Sequence, residues 1–149
     1  MNKKKTWALA MNATHARIVR ALERTGEGLP AELVLRSENR HLKDIMADKP
    51  GRSFTSMGGG RRSAMEYASD PIREDQREFV RQVVRVLETH RLAGDFDALA
   101  VFAAPAVLGL LRDEMPSRLA ATIVEESPKN LMHLSDNDLA HAIRDRTAL

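Results

Sequence analysis

Ala98-Leu99-Ala100-Val101-Phe102-Ala103-Ala104 is apolar at every position. A strand with one wet face alternates apolar and polar residues, so an unbroken run of this kind suits a strand covered on both faces of a parallel sheet. Such a strand needs helices around it, and the flanking sequence supplies them. Upstream, Asp70-Pro71 reads as an N-cap followed by proline at the first helical position, where the missing N–H costs nothing. Ile72, Phe79, Val80, Val83, Val84, Val86 and Leu87 then fall at helical spacings, which predicts a long amphipathic helix from Pro71 to about Leu92, with Gly94 past its end. Downstream, Pro105 to Glu114 reads as a short helix that Met115-Pro116 breaks. Thr122-Ile123-Val124-Glu125 is the next strand, and Ser135 with Asp138 forms a capping-box-like start for a last helix over 136 to about 146.

The first third has a different rhythm. Thr6 to Met11 and His15 to Leu22 are apolar or alternating runs around the polar turn Asn12-Ala13-Thr14, the pattern of a β-hairpin. Glu32 to Ser37 is a third strand after the turn at Gly26 to Pro30, and His41 to Ala47 reads as a short helical turn. The elements add up to an α/β fold: a mixed five-stranded sheet, antiparallel meander first and parallel strands after, with helices on its faces. Ribonuclease H-like folds share this element order.

Length and composition fit one core. The 149 residues are 43% hydrophobic and 30% charged, a globular balance, and one domain over 1–149 is expected. The absence of cysteine excludes a disulfide framework, a Cys-ligated metal site and a thiol nucleophile. Met1 to Lys5 is basic like the start of a signal peptide, but the apolar stretch after it breaks at Asn12, Thr14, His15 and Arg17. No apolar run approaches the roughly 20 residues of a membrane span, so a cytoplasmic protein is expected.

The formal net charge is only +2, so the distribution of charge matters more than its sum. Lys49 to Met65 holds Lys49, Arg52, Arg61 and Arg62 and no acid. Lys49 to Ser63 also carries four of the eight glycines, predicting a flexible, basic, glycine-rich loop at about 49–65. Arg73, Arg77, Arg81 and Arg85 recur every four residues along the helix that follows. Such a stripe suits RNA phosphates, while the interspersed Glu74, Asp75, Glu78 and Glu88 suit a solvated, salt-bridged face.

Four strings together resemble the bacterial host-attachment family: Trp7 to Val19 with its Ala16-Arg17-Ile18; Asp48-Lys49-Pro50-Gly51-Arg52-Ser53-Phe54; Phe96 to Arg112; and Lys129-Asn130-Leu131. That family is grouped with relatives of the central domain of archaeo-eukaryotic release factors, which carries a Gly-Gly-Gln loop before a long basic helix. Here Gly58 and Gly59 stand where those glycines would, and Gly60 stands in place of the glutamine. The resemblance implies a ribosome- or RNA-directed protein, with Arg52, Gly58, Gly59, Gly60, Arg61, Arg62, Arg73, Arg77, Arg81 and Arg85 as the RNA-contacting residues. Without the glutamine that would position a water, peptide release is not expected, although glycine N–H groups suit an oxyanion. The chain departs from the family pattern at two more places: Asn12-Ala13 where an acid and a glycine are usual, and Asn130-Leu131-Met132 where Asp-Leu-Thr is usual.

Other chemistries lack their signatures. A metal-dependent nuclease needs convergent carboxylates, and Trp7 to Asn12 offers none; Asp95, Asp97, Glu125 and Glu126 read as acids at strand ends. His15, His41, His90, His133 and His141 show no metal-ligand spacing, and neither a Gly-x-Ser-x-Gly elbow nor a complete phosphate loop is present. Trp7, Phe79, Phe96 and Phe102 read as core, while Phe54 and Tyr67 flank the basic segment and could stack on bases. No catalytic residue, metal or cofactor is expected; the alternative to an RNA partner is a protein partner, with an indirect role in attachment.

Overall fold

The computed structural model describes residues 4–24, 31–38 and 58–147, and across 58–71 the backbone alone. The expected helical turn at His41 to Ala47, and Arg52 and Phe54, lie outside the described residues. Five strands form one sheet: β1 (Thr6–Met11), β2 (His15–Val19), β3 (Glu32–Arg36), β4 (Ala98–Ala103) and β5 (Ile123–Ser127). Their order is β3-β2-β1-β4-β5. β1 pairs antiparallel with β2 and parallel with β4, and β5 runs parallel to β4. This is the mixed α/β sheet expected from the sequence.

The two central strands, β1 and β4, are buried at every residue, whereas the terminal strands β3 and β5 are partly exposed. The apolar run in β4 therefore has the predicted cause, namely cover on both faces. On one face α1 (Gly58–Leu92), α2 (Pro105–Glu114) and α3 (Ser117–Ala120) pack Phe79, Val83, Leu87, Leu108 and Leu119 onto Leu9, Ile18, Leu99 and Val101. On the other, α4 (Asp136–Thr147) lays Leu139 and Ile143 on Ala8, Ala10, Ala100 and Phe102. Each large side chain buried this way contributes about 1.5–3 kcal/mol. Trp7, Phe79, Phe96 and Phe102 are all core, as their patterns implied.

Three boundaries differ from expectation. α1 begins at Gly58, so Gly58 to Met65 of the expected loop is helical backbone and Pro71 lies inside the helix. The Asp70-Pro71 signal is a good local start, but Ser63 to Ser69 carries helix-compatible residues that extend the helix upstream of it. β2 ends at Val19 because Ala21 takes a left-handed φ of 58°, turning the chain so that the Leu22 N–H donates to the Thr6 carbonyl at 2.9 Å. α3 follows Pro116, whose extended backbone separates it from α2 and restarts the helix.

The ends of two helices follow the sequence signals. Gly94, at φ 78°, closes α1 as the left-handed residue of a Schellman motif: its N–H donates to Arg91 at 3.0 Å, and that of Asp95 donates to His90 at 2.9 Å. At α4 the Ser135 hydroxyl accepts from the Asp138 N–H at 3.2 Å. Asp136 and Asp138 in the first turn and Arg144 and Arg146 in the last complement the helix dipole.

Candidate functional site

The residues expected to meet RNA fall on one element. Apart from Arg52, all of them belong to α1, which is 35 residues long and unbroken. Farther along the helix, Arg81 Nε donates to Glu114 of α2 at 2.6 Å, and Arg77 lies 3.9 Å from the same carboxylate. Arg85 reaches Glu78 at 3.3 Å. The hydrogen bond from Glu114 raises the Arg81 pKa above its ordinary value. Arg73 is exposed. Glu78 from among the interspersed acids, and Glu114 from α2, are thus ion-paired with the stripe, while Glu88 pairs with Arg91 beyond it.

Three of the acids at strand ends are also engaged. Asp95 holds His90 Nδ1 at 2.7 Å, Asp97 accepts from the Lys5 backbone N–H at 3.3 Å, and Glu126 pairs with Arg112. Among the described residues no group of three or more His, Asp or Glu is arranged to hold a metal ion.

A second locus was not singled out from the sequence. Alternation along β2 turns Arg17 to the α4 face of the sheet, beside Val34 in register on β3. Arg17 is 8% exposed and still satisfied on every side. Its Nε and Nη2 grip Glu32, with Nη2 3.2 Å from Oε2; Nη1 donates to the Leu134 carbonyl at 2.7 Å; Nη2 also donates to Asp136 at 2.8 Å. Hydrogen bonding by Glu32, aided by Asp136, raises the Arg17 pKa against the opposing effect of burial. One guanidinium therefore joins β2, β3 and the start of α4.

Beside it the Asn12 side chain organises the hairpin turn. Its Oδ1 accepts from the Thr14 N–H at 2.9 Å and the His15 N–H at 2.8 Å, a local arrangement that favours asparagine or aspartate in turns. The Thr14 hydroxyl meets His15 Nδ1 at 2.8 Å. Asn12, His15, Arg17, Glu32, Val34, Met132, Leu134 and Asp136 line a groove of about 430 Å³. Val34, Met132 and Leu134 make its apolar part, and Val34 is 62% exposed. Arg17 is ion-paired with both carboxylates, which leaves the trio one negative charge in excess, and the groove offers apolar contact and hydrogen bonding.

The groove also unites two strings that are far apart in sequence. Asn12 of the hairpin turn and Met132 of the segment after β5 both line it, and Asn130 braces the second by accepting from the Met132 N–H at 3.1 Å. A family model described as "Protein required for attachment to host cells" matches residues 7–143. The chain belongs to the host-attachment family. Comparison with curated proteins returns no match. In this host-attachment family member the matched span takes in the sheet from Trp7 onward, the groove, and α4 as far as Ile143. The signal that could have found the groove was Arg17 itself, a charge on the α4-facing side of a strand whose next same-side residue is the buried Val19.

Proposed function

We propose that this host-attachment family member is an RNA-binding protein of the cytoplasm, directed at the ribosome through α1, and that its part in attachment is indirect. The observation that carries the reading is the continuity of α1. One helix bears Gly58, Gly59, Gly60, Arg61 and Arg62 together with Arg73, Arg77, Arg81 and Arg85. A rigid rod of about 50 Å, at 1.5 Å per residue, suits a phosphate backbone better than a basic loop joined to a separate helix. The carboxylate partners of Arg77, Arg81 and Arg85 do not preclude this. Such pairs at a protein surface contribute only about 0–1 kcal/mol, so exchange for phosphate costs little. The likeness to release factors supports the same target, and Gly60 in place of glutamine argues for binding without peptide release.

The test is co-sedimentation with bacterial ribosomes across a salt series, for the full chain and two variants: Arg52, Arg61 and Arg62 to alanine, and Arg73, Arg77, Arg81 and Arg85 to alanine. The expected result is binding that weakens steeply with salt and is lost in both variants. Absence of binding at low salt overturns the reading.

A second reading, a protein-interaction module, is favoured by one observation: Glu78 and Glu114 give the C-terminal part of the stripe a mixed charge. It expects no RNA affinity and a partner of complementary mixed charge, and the low-salt ribosome experiment separates the two.

A further inference from the structure

Arg77, Arg81 and Arg85 of α1 and Arg17 of the groove are ion-paired, but another set of charges is not. Behind α4, at the carboxyl ends of β4 and β5, Phe102, Lys129, Leu131, Ala142, Asp145 and Arg146 enclose a cavity of about 210 Å³. Phe102 is the last but one residue of β4 and wholly buried, Lys129 follows β5 by two positions, and Ala142, Asp145 and Arg146 share one face of α4 at i, i+3, i+4 spacing. Among the described residues the side chains of Lys129, Asp145 and Arg146 have no ion-pair or hydrogen-bond partner. Two cations and one carboxylate therefore surround an apolar base made by Phe102, Leu131 and Ala142. Elsewhere the protein pairs its charges across elements, as in Arg17 with Asp136 and Arg81 with Glu114.

We propose that this cavity binds a small organic anion, its acid group held between Lys129 and Arg146 and its apolar body resting on Leu131 and Ala142, over the buried Phe102. The carboxyl ends of parallel strands are where open α/β sheets take ligands. The volume lies below the roughly 300 Å³ at which drug-sized pockets begin, so the ligand is a single ring or short branched chain bearing an acid, not a nucleotide. Arg146 matches the planar fork of a carboxylate or phosphate, and Lys129 adds a point charge. Asp145 opposes the ligand's charge and lowers the affinity of the site for either acid.

Carboxylate and phosphate share this chemistry, so both are tested. Benzoate, phenyl phosphate and inorganic phosphate are titrated separately into the isotope-labelled full-length protein, following backbone amide resonances. The expected result is saturable shifts confined to Phe102, Lys129, Leu131, Ala142 and Arg146 with one or both aromatic acids. Benzoate alone identifies a carboxylate ligand, and phenyl phosphate alone a phosphoryl one. The double variant Lys129→Ala, Arg146→Ala weakens binding about tenfold or more, a loss in line with removing charge-assisted hydrogen bonds. Both residues are exposed, so the variant keeps the fold. Asp145→Asn tightens binding, which a merely structural role for that residue would not do. The proposal is overturned if no localised shifts occur, if they survive the double variant, or if inorganic phosphate binds as tightly as the tighter of the two aromatic acids.

Discussion

Arg17 of β2 and Asp136, the first residue of α4, meet at 2.8 Å although the two are 119 positions apart in sequence. The same guanidinium holds Glu32, whose side chain is only 16% exposed. Removing the cation leaves Glu32 half-desolvated without a partner, while Asp136 is solvated enough to tolerate the loss. Arg17→Met is expected to destabilise the protein by about 2–3 kcal/mol in chemical denaturation. Adding Glu32→Met should recover most of that loss, because the cost lies in the orphaned charge rather than in a missing attraction. A double variant no more stable than Arg17→Met alone would contradict this account.

Ala21 carries a Cβ at φ 58°, a conformation disfavoured for L-residues by about 1–2 kcal/mol. Glycine relieves that strain and gives back part of the gain as chain entropy. Ala21→Gly should therefore raise stability by about 0.5–1 kcal/mol, seen as an upward shift in thermal midpoint.

Pro71 lies within α1 and has no N–H for the carbonyl of Tyr67 one turn earlier. Pro71→Ala is expected to raise the helical signal in circular dichroism and to stabilise the protein by about 1–3 kcal/mol. A destabilising or neutral result would put the start of α1 at Pro71.

Glu88 is held by Arg91 one turn on, with Nε to Oε1 at 2.5 Å and Nη2 to Oε2 at 3.0 Å. The Arg91 hydrogen bond lowers the Glu88 pKa below the ordinary glutamate value. A carboxyl group with a lowered folded-state pKa binds fewer protons folded than unfolded. Its contribution is therefore fully present above the unfolded value and disappears as pH falls through the folded one. Between about pH 5 and pH 3 the wild type should lose more stability than Glu88→Gln, measured as denaturation midpoints against pH.

The sheet was legible because its strands carry short-range signals: the Asn12-Ala13-Thr14 turn, and the unbroken apolar run of β4. The same holds for the Ser135 cap and for Gly94. The start of α1 was not legible, since Asp70-Pro71 imitates a helix start and only the surrounding context can override a strong local cap. α3 was missed because a single turn after Pro116 leaves no periodicity to read. The groove around Arg17 was out of reach for another reason. Its lining comes from β2, β3, the hairpin turn, the segment before α4 and the first residue of α4, and sequence spacing says nothing of which distant strings become neighbours. Only the fold makes Asn12 and the segment around Met132 neighbours.

The middle of the sheet, where Thr6 to Met11 lies in register with Ala98 to Ala103, joins the beginning of the chain to a segment made much later. During synthesis the β1–β2 hairpin must wait, with one side of β1 open, until α1 and then β4 leave the exit tunnel. The delay makes the nascent hairpin a natural client for chaperones and favours slow folding, since the decisive pairing closes a long loop. It also makes the chain divisible. Two fragments cut between β3 and α1 retain the whole β1–β4 seam between them, and would reassemble as a split reporter does, each half restoring the order of the other.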